Sequence, residues 1–378
     1  DVGLEPACAV VCPVEAILVG DLNDTDSKVA KVVGREPVTV RRPEKDTRPS
    51  LYYAGAHQAT LDPLAAELPE GGIFAWAQQA PPDPHSINSG SPRGSGNSSA
   101  AAILSYDVGH SVPWDWRVGL YTWTKSISAG AYLVAAALVG VGMLDGGSPL
   151  WNWAAPAIGL ALLAVTGGLL VWDLEHPTRF YYIFTRPQWK SWLVRGGVLI
   201  AAYGALLGLH VVAVLVGAEA LRTALVVPGI PLAVMAAVYT ACLFAQAKAR
   251  DLWQNPLLPP HFVVQAALAG AAALLLVAAV LEPSAVDVLE IVLACCSALH
   301  LLLVMGELTL PHPTAHARLA AHELTGGRFR TLFWCGVALT ALAVSAPLLG
   351  PGVAVLGLLG LLAHEHAYVQ AAQQVPLA

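Results

Sequence analysis

Two sets of side chains in this sequence have types and spacings that could carry chemistry. The first is a pair of thiols in the run Cys8-Ala9-Val10-Val11-Cys12-Pro13. Soft thiolates at such a spacing suit iron held in a sulfide cage, and the proline turns the chain away after the last ligand. Two ordinary cysteines on a turn would read the same way, so the spacing alone leaves both readings open. The second set is ionisable groups placed in or at the ends of apolar segments: Lys125, Asp173, Glu175, His176, His300, Glu307 and the run His364-Glu365-His366. A charge held in hydrocarbon costs several kcal/mol and is by default a functional candidate. The other cysteines, Cys242, Cys295, Cys296 and Cys335, lie in apolar stretches and read as small buried hydrophobes; nothing resembles a secreted disulfide framework.

The elements that must position these groups follow from composition. The chain has 378 residues, 56% hydrophobic and only 12% charged. About 25% charge is usual for a soluble domain, so this is a membrane composition. Residues 1–114 hold 8 Lys/Arg and 14 Asp/Glu, which accounts for the whole net charge of −6 and argues against nucleic acid as a partner. Residues 1–79 read as a compact polar piece with short strands at Ala16–Val19 and Pro37–Val40 and a turn at Gly20–Asp24. Residues 80–114 form a linker whose first part is rich in Pro, Gly, Ser and Asn. Asp1 is not an initiator Met, and the thiol motif begins abruptly, so further sequence is expected upstream.

Beyond the linker, apolar runs near the ~20 residues needed to cross a bilayer predict helices at about 116–144, 151–173, 192–217, 229–250, 262–281, 286–307, 329–349 and 352–370. The expected fold is thus mainly α: an eight-helix transmembrane bundle over 115–378. Tryptophans such as Trp114, Trp116, Trp151, Trp172, Trp192 and Trp253 gather at helix ends, as an interfacial belt does. Eight crossings put both termini on one side. The loops there carry Arg179, Arg186, Lys190, Arg195, Lys248, Arg250, Arg318, Arg328 and Arg330, against Arg222 alone on the other. The positive-inside rule makes that side cytoplasmic in a multi-pass protein of the inner (plasma) membrane. A docking face for an acidic partner would also be basic and could mimic the bias.

Two resemblances attach to these motifs. The C-x3-C-P spacing is the last part of the bacterial ferredoxin run C-x2-C-x2-C-x3-C-P, in which the final cysteine ligates the neighbouring cluster. Pro6-Ala7-Cys8 and the segment Gly20-Asp21-Leu22-Asn23-Asp24-Thr25-Asp26-Ser27 resemble the electron-transfer subunits of molybdopterin oxidoreductases, with Thr25 where those carry proline. The resemblance implies that residues 1–79 are the C-terminal part of a ferredoxin-like domain. Cys8 would ligate one [4Fe-4S] cluster and Cys12 its neighbour, with the remaining ligands upstream. In the apolar part, Trp172-Asp173-Leu174-Glu175-His176-Pro177-Thr178-Arg179-Phe180, then Arg186-Pro187 and Ser191-Trp192, resemble the NrfD family of membrane subunits. Tyr121–Lys125 and Ala367–Ala371 fit it too. That family implies eight helices, no cofactor of the membrane subunit's own, a quinone or menaquinone site on the side facing the iron–sulfur subunit, and a molybdopterin-type catalytic partner.

The residues support a quinone site independently. Lys125 lies about nine residues, or roughly 13 Å, into its helix, and His300 about 10 Å from the end of its own. The ionisable groups therefore collect in one half of the membrane, where a quinone needs an apolar slot, hydrogen-bond donors and a proton route. Lys125, Asp173 and His176 are the expected quinone and proton residues, with Glu175 behind them and His300 with Glu307 next. Three alternatives stay open: a haem b anchor using His176 and His300, a proton-translocating subunit, and a passive anchor. Lys125 could instead snorkel to the interface. Asp173 and Glu175 could simply pair with Arg179. His210 reads as structural, and His312 with His316 as a solvated loop.

Overall fold

The computed structural model describes residues 6–10, 12, 16–41, 46–56, 61, 114–247, 250–312 and 314–375. The chain divides into two compact units, Asp1–Pro82 and Asp83–Ala378. Apart from Trp114, the expected linker lies outside the described residues, as does Lys248.

In the first unit a short helix α1 (Ala7–Val10) carries Cys8. The segment from Gly20 to Ser27 is a run of side-chain-closed turns. Asp21 accepts from the Asn23 amide at 2.9 Å, Asp24 from the Asp26 amide at 3.0 Å, and the Ser27 hydroxyl donates to the Asp21 carbonyl at 2.7 Å. Short acceptor side chains bond the backbone two residues on, which is why Asx-rich runs turn. Ser27 then caps α2 (Lys28–Arg35) by accepting from the Ala30 amide at 3.1 Å. Two two-residue strands, β1 (Val38–Thr39) and β2 (Tyr53–Ala54), pair antiparallel with Val38 opposite Ala54. The strand expected over Pro37–Val40 is thus reduced to β1. The one expected at Ala16–Val19 is not a strand: it has no ladder partner among the described residues, and the Ala16 amide donates to the Cys12 sulfur at 3.2 Å instead.

The second unit has a helix at each of the eight expected places. These are α3 (Trp116–Gly140), α4 (Ala155–Trp172, entered through a π-turn at Leu150–Ala154), α5 (Trp192–Leu215), α6 (Val226–Gln246), α7 (Leu258–Leu281) and α8 (Val286–Thr309). After a surface helix, α9 (Ala315–Thr325), come α10 (Arg330–Ala343) and α11 (Ala354–Gln373). Among the described residues, six stretches are long and apolar enough to cross a membrane: those holding α4, α5, α6, α7, α8 and α11. α3 has the length but not the apolarity, because Thr122, Thr124, Lys125, Ser126 and Ser128 run along it. α10 is apolar but has only 14 residues before the chain breaks helix near Val344.

α3 lies at the centre of the unit, packed on α4, α6, α7 and α11. Several of its polar groups are satisfied from α4 and α5. The Thr124 and Thr166 hydroxyls bond at 2.8 Å, Ser128 donates to the Gly159 carbonyl at 2.7 Å, and Tyr203 donates to the Ser128 carbonyl at 2.9 Å. α3 and α7 cross backbone to backbone at Gly130 and Gly270, where a Cβ on either glycine would collide with main chain of the other helix. At the end where the chain enters the bundle, the Trp114 amide donates to the Gln373 side chain at 3.0 Å. Its ring stacks on Trp253 and Phe244 at 4.9 and 5.4 Å. Arg250 closes α11 by donating to the carbonyls of Ala372, Gln373 and Val375, the last at 2.7 Å.

Candidate functional site

Two polar groups are built into the bundle near this entry end. The first is centred on Lys125 of α3, which is fully buried. Its ammonium donates to the Ala237 carbonyl at 2.7 Å and the Thr240 hydroxyl at 2.6 Å, both on α6. It also lies 5.0 Å from the centre of the Tyr239 ring and 4.7 Å from that of Phe262. Lys125 therefore does not snorkel; its charge is held between helices by two donated bonds and two aromatic faces. The next residue, Ser126, donates to Glu365 Oε1 of α11 at 3.2 Å, while Glu365 Oε2 is buried without a hydrogen-bond partner.

Tyr239 has a second neighbour. An apolar cavity of about 250 Å³ lies between α4 and α5 and the short helix Tyr182–Thr185, lined by Gly167, Leu170, Leu174, Phe180, Phe184, Gly197 and Tyr239 among others. The Tyr239 hydroxyl is buried with no hydrogen-bond partner. A slot of apolar walls with few polar groups is the usual form of a small-molecule site.

Asp173 follows α4 and pairs with Arg117 at 3.4 Å rather than with Arg179. Arg117 also donates to the Trp172 carbonyl at 2.7 Å and to Asp115 at 3.0 Å, so it closes the α4 terminus and draws two carboxylates to one guanidinium. Burial raises the Asp173 pKa above the ordinary carboxylate value against the pull of Arg117. At Asp115 burial also pushes upward, but the hydrogen bonds and charge of Arg117 outweigh it and hold the group below that value. Glu175 and His176 stand exposed on the loop that leaves α4. The structure thus brings Lys125 together with Tyr239 and Thr240, and Asp173 with Arg117, and sets Glu175 and His176 at the surface.

The second group joins His300 and Glu307 of α8 through a residue the sequence reading missed, His261. His261 Nδ1 lies 2.9 Å from Glu307 Oε1 and its Nε2 2.8 Å from His300 Nδ1. His364 of α11 completes the group, its ring centre 4.8 Å from that of His300 and 5.6 Å from that of His261. Glu307 also lines a cavity of about 360 Å³ with Asp251, Asn255, His312 and Thr314. A signal for His261 was present: His300 and Glu307 are two turns apart on one face of α8, and a facing helix had to supply their partner. His176 is exposed and His300 is in hydrogen-bond contact with His261, so these two do not form the opposed pair a haem requires. His210, near the other end of the bundle, is buried edge-on against Trp151 at 4.5 Å.

In the first unit Cys8 is exposed and Cys12 half-buried, and both are free thiols. The hydrogen bond donated by the Ala16 amide to Cys12 Sγ is the kind of contact that steadies a cluster-ligating sulfur. These two thiols suit half the ligand set of one cubane, or one ligand to each of two.

The comparisons with known proteins divide along the same two units. Matches in the N-terminal region are to iron–sulfur subunits. They include the dimethyl sulfoxide reductase iron-sulfur subunit assigned to Halobacterium salinarum (47% identical; 19% of this chain, 27% of that protein). The arsenate respiratory reductase iron-sulfur subunit of Shewanella sp. (strain ANA-3) is 42% identical, over 14% of this chain and 23% of its own length. A polysulfide reductase polypeptide of Wolinella succinogenes is 40% identical, over 13% and 26%. The chain thus spans about a quarter of the length of the curated relatives it matches. The family described as "Polysulphide reductase, NrfD" matches residues 106–349, from just before α3 through α10, and the chain belongs to that family.

Proposed function

We propose that this chain is a membrane subunit that passes electrons between iron–sulfur clusters and a membrane quinone, working with a soluble molybdopterin-type catalytic subunit. The observation that carries the reading is the apolar slot between α4 and α5, with Tyr239 shared between its wall and the buried ammonium of Lys125. The family and the iron–sulfur relatives of the N-terminal region support it. So do the free thiols Cys8 and Cys12, as ligands of [4Fe-4S] clusters completed by residues outside this sequence. Such clusters, when bound, supply one-electron transfer.

The chain's own residues do the rest. Leu170, Leu174, Phe180 and Phe184 enclose a flat, apolar ring and keep water from it. The unpartnered Tyr239 hydroxyl donates to a quinone carbonyl, and Lys125 behind it holds a proton in reserve. A quinone that takes up two electrons takes up two protons, so the slot needs resupply. Arg117 with Asp173 at the end of α4, and exposed His176 on the loop that carries Phe180, connect this region to water. In this reading α3 and α10 complete eight crossings of the inner membrane, and the basic loops support termini in the cytoplasm.

A test is to fill the slot. Gly167 lines it, and a side chain there would meet nothing within 4 Å. Gly167→Leu should raise the KM for quinone strongly while an artificial electron acceptor still works with the catalytic partner. Gly168→Leu, equally free of clashes but not on the slot, serves as control. Normal quinone kinetics in Gly167→Leu would place the site elsewhere in the bundle.

A further inference from the structure

We propose that His261, His300 and His364 are ligands of a divalent transition metal of the zinc class, buried between α7, α8 and α11. The proposal is independent of the quinone reading, because it concerns other residues.

One ring nitrogen from each of the three histidines lies within 4.8 Å of the other two, and the residues are 1%, 0% and 2% exposed. Among the described residues this is the one group of three or more such ligands. The orientation is that of a metal ligand set. With His261 Nδ1–H donating to Glu307, the Nε2 lone pair faces inward, toward His300 Nδ1. A carboxylate on the outer nitrogen is how proteins fix the tautomer and raise the basicity of a ligating histidine.

His364 Nδ1 is buried without a hydrogen bond, and a cation at that nitrogen would satisfy it. Buried polar atoms are nearly always paired, so this orphan calls for an explanation. Beside the group, on the side away from His300, a void of about 10 Å³ is lined by His261 and His364 with Thr122, Phe262 and Gln265, which is room for one small atom. Charge agrees as well. Glu307 brings a buried carboxylate to the group through His261. A divalent ion on three neutral imidazoles would offset it, with water as the fourth ligand.

Three imidazoles and one oxygen suit tetrahedral zinc or cobalt. Magnesium and calcium prefer all-oxygen cages, and copper(I) prefers sulfur. Bonds of about 2.0–2.1 Å in tetrahedral array place ligand nitrogens roughly 3.3 Å apart. The 2.8 Å contact of His261 with His300 therefore widens only slightly, exchanging its hydrogen bond for two bonds to the metal. Glu307 also lines the larger cavity beside α9, which gives an ion a way in.

The test uses the full chain in detergent, in a Cys8→Ser/Cys12→Ser background so that these two thiols cannot bind the metal. Zinc is measured after passage over a weak chelator, and cobalt is then exchanged in. The expected result is near one equivalent of zinc per chain and tetrahedral cobalt ligand-field bands without thiolate charge transfer. His300→Gln and His364→Gln should lose both signals. Glu307→Gln should weaken affinity about 10–100-fold, and His210→Gln should change nothing. If the histidine variants fail to fold, the cobalt titration of the parent chain decides. No zinc and no ligand-field bands in the parent, or full zinc content in a folded His364→Gln, would overturn the site.

Discussion

Replacing Lys125 by methionine separates the chemistry of this residue from its packing. The stem of Lys125 is enclosed by α3, α6 and α7, and methionine is flexible and close in volume, so it fills the same space. The change removes two charge-assisted bonds, of 2.7 and 2.6 Å, each worth roughly 1.5–3 kcal/mol. It also removes the cost of holding an ammonium in hydrocarbon, several kcal/mol of opposite sign. Both acceptors can fall back on their own helix: the Ala237 carbonyl is within α6, and the Thr240 hydroxyl can bond a carbonyl one turn earlier. The fold should therefore survive, with a change on the order of 1 kcal/mol. Quinone chemistry should not survive intact. Loss of a positioned proton donor typically costs 10²–10⁴-fold, or at least about 2.7 kcal/mol at the barrier. The assay is quinone-linked turnover of the assembled complex in membranes, against turnover of the same preparation with a viologen. A Lys125→Met complex that keeps its quinone rate within about twofold would refute the assignment of the proton reserve to this residue.

Three further outcomes are expected. Cys12→Ala should remove or convert a cluster, seen as loss of iron and a changed EPR spectrum of the reduced protein, while membrane insertion persists; unchanged signals would remove Cys12 from the ligands. Gly270→Leu should abolish the folded bundle, because the new side chain meets the backbone of Gly130 and Ala131, which cannot rotate away. A monodisperse gel-filtration peak at parental yield would show that the α3–α7 crossing is looser than described. A reporter fused after Ala378 should read cytoplasmic; a periplasmic readout would mean that the basic loops are a docking face.

The helices were legible because apolar runs of the right length have few other uses, and the departures are local. Gly142 and Gly217, at φ of +74° and +69°, stop α3 and α5 before the expected ends, since a left-handed residue closes a helix whatever the hydropathy beyond it. At the other ends, α6 and α7 begin earlier than expected. Pro228 falls in the first turn of α6, and Pro259 and Pro260 in the first turn of α7, where the missing amide is not needed. The first unit was less legible. Strands of two residues leave no alternation to detect, and α2 begins from a serine cap rather than from an apolar stripe.

The misplaced start of α7 also hid His261, which the expected helix left just outside its first residue. Inside the helix, with its amide bonded to the Leu257 carbonyl at 3.0 Å, His261 is held to the bundle and reaches both Glu307 and His300. Periodicity could rank each ionisable group by depth, but depth alone could not say which groups meet. Lys125 gives its hydrogen bonds to α6, while its charge also acts on Glu365 of α11, which accepts from Ser126. Asp173 was read with its neighbours in sequence and is paired instead with Arg117, a full helix away along the chain. In each case the partner comes from a different helix, and pairings between helices are set by crossing points such as Gly130–Gly270 rather than by any local pattern. The bundle accordingly keeps its polar residues in two assemblies. One is an ammonium beside an apolar slot, with Glu365 in its field, and the other is three imidazoles anchored by Glu307, so substitutions at Lys125 and at His300 should act on different observables.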